Sequence, residues 1–175
     1  PQAPICDWWR GDDMHRNGCF NVQLAFTFLA HFGRPIVTPN DLPQEPMKYG
    51  TVDPYEYFLE LGSLAHAAAR YGFDNKLWRE MVEHPNYDEF WQARNLLPHL
   101  RDIRCPTLVV GGWYDTEDLY GPLHIYQQTR ANNPTTPVSL VMGPWSHGGW
   151  IRTEGTQIGD SEFGFSTSAT YHELA

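Results

Sequence analysis

A chain of 175 residues with 41% apolar and 14% aromatic side chains is long enough to bury a core and has the length of one domain. Its net charge of −9, with 12 Lys and Arg and no basic run, argues against nucleic acid and anionic membrane surfaces as partners, because phosphate binding needs a basic face. No stretch approaches the ~18 consecutive apolar residues of a membrane span, whereas a cationic substrate group would suit the acidic balance.

Residues 1–20 carry no convincing periodic pattern and read as a loop leaving a strand end; within them Asp12-Asp13 looks first like a solvated turn. From Asn21 the apolar positions Val22, Leu24, Ala25, Phe26, Phe28, Leu29 and Phe32 predict a helix buried on several sides and stopped by Gly33 and Pro35. The proline-rich stretch 35–52 predicts a long surface loop. Asp53 then caps a helix with Pro54 at its first position, its apolar steps running through Tyr57, Phe58, Leu61, Leu64 and Ala68 with Gly62 as a break. Asn75 caps a helix over 76–84 that Pro85 stops, and residues 88–95 predict a short one. This helical block without a strand, 21–97, is expected to be a cap inserted into an α/β layer made of 1–20 and 98–175.

Two short apolar runs, PTLVV at 106–110 and PVSLVM at 137–142, flank a helical stretch over 119–130. The pattern predicts a βαβ unit, a strand at 107–112 and another ending near 142 joined by a crossover helix. Parallel neighbours lie about 4.8 Å apart and end on the same edge of the sheet. Asp115, in GGWYDTED at 111–118, and His147, in GPWSHGG at 143–149, are therefore expected together on the edge where open α/β sheets place their sites. An acid beside a histidine forms two-thirds of a charge-relay triad. After His147 the chain turns Gly- and Ser-rich with little periodicity.

The third member is missing from this pattern. A serine nucleophile of an α/β-hydrolase precedes the acid in a G-x-S-x-G elbow. Only Ser63 precedes Asp115, without the elbow glycines or a strand, and Ser166 comes too late; Cys6 and Cys19 also lack the elbow. The nucleophile is accordingly expected N-terminal to Pro1, in a longer enzyme of which this chain is a piece.

The remaining chemistry-bearing residues have plainer readings. His15, His31, His66, His84, His99, His124 and His172 read as structural or exposed. Glu117 and Asp118 read, on position alone, as carboxylates opening the helix at Leu119. No D-x-D-x-D-G loop and no C-x-x-C pair is present, so neither a metal nor a cofactor is expected. The three cysteines, Cys6, Cys19 and Cys105, are too few for a disulfide framework, and free thiols are the default, with a Cys6–Cys19 bridge left open. The seven tryptophans read as core and cap packing.

Four separated motifs, PQAPICDWWRGDD at 1–13, NYDEFW at 86–91, GGWYDTED at 111–118 and GPWSHG at 143–148, together resemble α-amino acid ester hydrolases. These belong to a broader group with cocaine esterase, cephalosporin acylases and X-Pro dipeptidyl-peptidases. The resemblance implies a partial α/β-hydrolase fold, with a further C-terminal jelly-roll domain in complete relatives. It implies Asp115 as triad acid, His147 as triad base, and Asp13, Glu117 and Asp118 as the carboxylates that bind the substrate's protonated α-amine. The implied substrates are esters and amides of α-amino acids, β-lactam antibiotics included, and the implied setting is a homo-oligomer, a tetramer, in the periplasm or outside the cell. Two other readings stand beside it: a related cephalosporin acylase, cocaine-esterase-like or X-Pro dipeptidyl-peptidase hydrolase without α-amino preference, and a noncatalytic binding protein of the same fold.

Overall fold

The computed structural model describes residues 1–29, 32, 49–64, 66 and 75–174. The stop at Gly33 and Pro35, the proline-rich loop as far as 48, His31 and Ala68 lie outside the described residues.

The βαβ unit forms the α/β part of the chain. Strand β3 (Thr107–Gly112) and strand β4 (Val138–Gly143) pair in parallel, Thr107 opposite Val138 and Gly112 opposite Gly143, joined by helix α5 (Tyr120–Asn132). On the far side of β3 the first residues add a third parallel line. Val110 N–H donates to Pro1 O and Ala3 N–H to Val110 O, both at 2.9 Å. Alternation along β3 sends Val109 toward Cys6 and Ile125 of α5, and Val110 toward Trp145, Trp150 and Tyr171 on the opposite face. A strand buried on both faces needs apolar residues at successive positions, which is why this run reads as unbroken rather than alternating.

The chain after His147 is more ordered than its composition suggests. Helix α6 (Gly149–Arg152), a hairpin of β5 (Gln157–Ile158) and β6 (Ser161–Glu162), and helix α7 (Thr167–Leu174) follow in turn. They are anchored by polar contacts that carry no periodicity: Trp145 Nε1 donates to Thr167 Oγ1 at 2.9 Å, Trp150 Nε1 to Gln2 Oε1 at 2.9 Å, and Gln2 Nε2 to Tyr171 OH at 2.7 Å.

The first twenty residues also contain structure absent from the sequence reading. Strands β1 (His15–Arg16) and β2 (Cys19–Phe20) pair across Asn17-Gly18, whose φ angles of 49° and 81° are both positive. That is the two-residue turn Asn-Gly favours.

Among the described residues, four helices build an aromatic core beside this hairpin: α1 (Val22–Leu29), α2 (Pro54–Leu61), α3 (Lys76–Glu83) and α4 (Glu89–Gln92). Asp53, Asn75 and Asp88 cap the last three through their side-chain oxygens, the first two as predicted and Asp88 as the residue before a helix expected to include it. Helix α1 buries only one stripe, Ala25, Phe26 and Leu29; Phe28 is 39% exposed, which corrects the expectation of burial on several sides. Phe26, Trp78 and Trp91 are fully buried here together with Met14 from the hairpin segment. Each such side chain contributes about 1.5 to 3 kcal/mol of burial free energy. Buried Asn75 ties α3 to α1, its Nδ2 donating to Leu29 O at 2.9 Å.

His15 sits inside this aromatic cluster, stacked on Trp9 at 4.8 Å and edge-on to Trp91 at 4.6 Å, with Nδ1 3.1 Å from Trp8 O. Burial holds its pKa down at about 4, so the ring is a neutral packing element. All three cysteines are free; Cys6 is buried and Cys19 exposed, so they form no bridge. No helix among the described residues is long and apolar enough to cross a membrane.

Candidate active site

The C-terminal ends of β3 and β4 continue as a backbone scaffold. Trp113 N–H donates to Gly143 O at 2.8 Å and Tyr114 N–H to Trp145 O at 3.1 Å, so the two turns leave the sheet still attached. Gly112 makes this attachment feasible, because a Cβ there would lie 2.0 Å from the carbonyl oxygen of Trp145. In the full-length enzyme, Gly112→Ala should shift the His147 turn against Asp115 and lower kcat about 10²-fold. A variant that folds and keeps full ester hydrolysis would show that the close approach does not position the histidine.

Asp115 is 3% exposed and uses both carboxylate oxygens. Oδ1 accepts the backbone N–H groups of Glu117 and Asp118, each at 2.9 Å, and Oδ2 faces His147 Nδ1 at 2.9 Å. With a buried carboxylate as acceptor the proton resides on Nδ1, which leaves the Nε2 lone pair free to accept a proton. The His147 side chain is 40% exposed, and no hydrogen bond reaches Nε2 among the described residues.

Asp118 and Glu117 close around the same ring. Their oxygens lie 3.6 Å and 3.5 Å from His147 Nδ1. Helix α5 begins at Tyr120 and has no side-chain cap bond at Leu119, so both acids stand just before the helix, as their position predicts. Asp118 is 4% exposed, and its Oδ1 is buried without a hydrogen-bond partner. An unpaired buried carboxylate oxygen is costly unless a donor or cation arrives to meet it. Burial foremost, then Asp13, Asp12, Asp115 and Glu117, raise the Asp118 pKa from 3.8 to about 8. Because the fold favours its protonated form, the stability this group contributes is full below pH 3.8 and is lost as pH rises through about 8.

Asp13 reaches the same place from the hairpin segment. Its N–H donates to Glu117 O at 3.1 Å, and its Oδ2 accepts from Trp8 Nε1 at 2.7 Å. Its pKa is raised, chiefly by burial; the Trp8 bond opposes this, and Glu117 adds to it. The structure thus brings together all five residues singled out by sequence: Asp115, His147, Asp13, Glu117 and Asp118. Charge proximity adds to burial in raising Asp13 and Asp118, each of which has other acids of this group among its causes.

Asp12 corrects the reading of a solvated turn. It is fully buried: Oδ2 accepts from Cys6 N at 2.7 Å and Asp7 N at 2.9 Å, and Oδ1 accepts from Gly121 N at 2.7 Å, at the start of α5. The missing cap of α5 is supplied from a residue 109 positions earlier. Burial lifts its pKa, while the amide donors pull the other way.

Glu117, Asp118 and His147 also offer one ligand atom each within 4.8 Å of one another, a spacing a metal ion accepts. The nitrogen within reach of both acids is Nδ1, the one already engaged with Asp115, so using it as a ligand would break that bond. An ammonium group makes no such demand.

A parallel βαβ unit with an acid and a histidine bonded at adjoining strand ends has the layout of an α/β hydrolytic enzyme. The chain belongs to the X-Pro dipeptidyl-peptidase (S15) family, whose profile matches residues 1–149. It is 36% identical over 69 residues to the cocaine esterase of Rhodococcus sp. (strain MB1 Bresler), a match covering 39% of this chain and 11% of the esterase. The crystal structure of an aminopeptidase from a marine sediment archaeon, Thaumarchaeota archaeon, superposes with a TM-score of 0.82 at 28% identity over 99% of this chain and 28% of that one. The chain therefore spans only a minor part of the length of either protein.

Proposed function

We propose that these residues are the acid-and-base portion of a serine hydrolase acting on esters and amides of α-amino acids. A serine elsewhere in the protein, N-terminal to this portion, would be the nucleophile. His147 Nε2 takes the serine proton as Oγ attacks the acyl carbon and passes it to the leaving alcohol or amine; water or an acceptor amine then attacks the seryl ester by the reverse proton route. Asp115 holds the ring and stabilises the imidazolium. The helical block 21–97 acts as a cap over the pocket.

The observation carrying the α-amine preference is the buried, unpartnered Oδ1 of Asp118 beside Glu117, with Asp13 bonded to the same turn. At about 4 Å and an effective dielectric near 20, each ionised carboxylate attracts an ammonium by about 4 kcal/mol before desolvation. Asp118→Asn should lower kcat/KM about ten- to hundredfold for phenylglycine methyl ester and much less for phenylacetic methyl ester, which lacks the amine. In the parent enzyme, KM for the amine ester should fall as pH rises toward about 8, where Asp118 ionises, until the substrate amine loses its own proton. Equal losses on both esters would remove the cationic-substrate reading. The similarity to cocaine esterase favours a second reading, an esterase indifferent to the amine; the parent enzyme's ratio of activities on the two esters decides between them.

A further inference from the structure

Arg16, the last residue of β1, directs its guanidinium entirely at main-chain carbonyls. Nη1 donates to Asp13 O at 3.1 Å and His15 O at 2.8 Å; Nη2 donates to Glu117 O at 3.1 Å and also to Thr116 O. One planar cation therefore grips both the hairpin segment and a turn 101 positions away. Among the described residues one other hydrogen bond joins Asp13 to that turn, its own N–H to Glu117 O. Asp13 sits at a φ of 47°, in the left-handed region that residues with a Cβ enter sparingly and Asp more readily than most. Its carboxylate is held by Trp8 Nε1 at 2.7 Å, and the loop that carries it is held by Arg16 and that amide bond.

We propose that Arg16 is a positioning residue that clamps the Asp13 loop onto the Thr116–Glu117 turn and so sets the spacing of the Asp13, Glu117 and Asp118 carboxylates that receive the substrate's ammonium. The assignment rests on the ammonium reading above. Arg16 orders the acids without neutralising them, because its donors are spent on carbonyls and it forms no ion pair among the described residues. A lysine cannot replace it. Two NH₂ groups in one plane can reach carbonyls on two loops at once, whereas a single ammonium on a flexible stem holds one loop or the other. The Asn17-Gly18 turn aids the clamp by fixing the end of β1 from which the side chain departs.

The test uses the full-length enzyme and compares Arg16→Ala, Arg16→Lys and Asp118→Asn on phenylglycine and phenylacetic methyl esters. Arg16→Ala should raise KM for the amine ester about tenfold or more with a smaller change in kcat, and leave the des-amino ester unchanged. Added guanidinium chloride at millimolar concentration should recover part of the loss. Arg16→Lys keeps the stem and charge, serves if the alanine variant does not fold, and should show the same amine-selective defect. If Asp118→Asn is amine-selective and the Arg16 variants are not, the clamp falls and the ammonium reading stands. If no variant is amine-selective, the ammonium reading falls, and hydrogen exchange judges the geometric part. Faster exchange of the Asp13 amide in Arg16→Lys then supports the clamp as a loop anchor; unchanged exchange overturns that too.

Discussion

Replacing His147 with alanine in the full-length enzyme is expected to lower kcat by about four orders of magnitude while leaving the fold intact. The ring is 40% exposed and belongs to no hydrophobic cluster, so its loss removes chemistry rather than packing. Asp115→Asn should approach the same loss by another route. An amide at this position can present an N–H to Nδ1 and stabilise the opposite tautomer, placing the proton on the nitrogen that must accept one. The asparagine oxygen can still take the Glu117 and Asp118 amides, so this variant should fold. Steady-state ester hydrolysis with circular dichroism as a fold control suffices. A loss under about tenfold in both variants would show that the pair does not serve as acid and base.

The second large effect concerns stability. Asp12→Ala is expected to destabilise the protein by about 3 to 5 kcal/mol, since it strands the buried amides of Cys6, Asp7 and Gly121 at about 1 to 3 kcal/mol each, with partial relaxation. Asp12→Asn should be nearly as damaging, because its NH₂ would face amide donors on one side. The N-terminal segment cannot withdraw to relieve this. It lies so close to α5 that a Cβ on Gly121 would sit 1.8 Å from Pro4 O. Urea unfolding measures the outcome, and a midpoint unchanged for both variants would show that the network is dispensable. Asp12 touches neither His147 nor Asp115, so kcat of the folded fraction should change far less than the midpoint does.

The local rules of the chain are readable wherever a short stretch decides its own structure. Strands β3 and β4 and helix α5 announce themselves by two apolar runs around a helical stretch, and Asp53, Asn75 and Asp88 mark helix starts because a cap bond closes within three residues. The meeting of Asp115 with His147 also follows from sequence, since a parallel crossover leaves both strand ends on one edge. The β1–β2 hairpin was equally local, signalled by Asn17-Gly18, yet its strands of two residues each are too short to show alternation. The segment after Trp150 is ordered by long-range polar contacts from Gln2 and Thr167, which leave no periodic trace.

Tertiary structure alone decided the states of the acids. Asp12 and Asp13 are adjacent and chemically identical, yet one caps a helix 109 positions away and the other enters the carboxylate cluster. Asp118 looks like an ordinary helix-opening acid until the fold buries it and leaves one oxygen without a donor. Burial and charge proximity depend on which distant segments meet, and that information is spread over the whole chain, whereas helix caps, turns and strand runs are settled by their immediate neighbours.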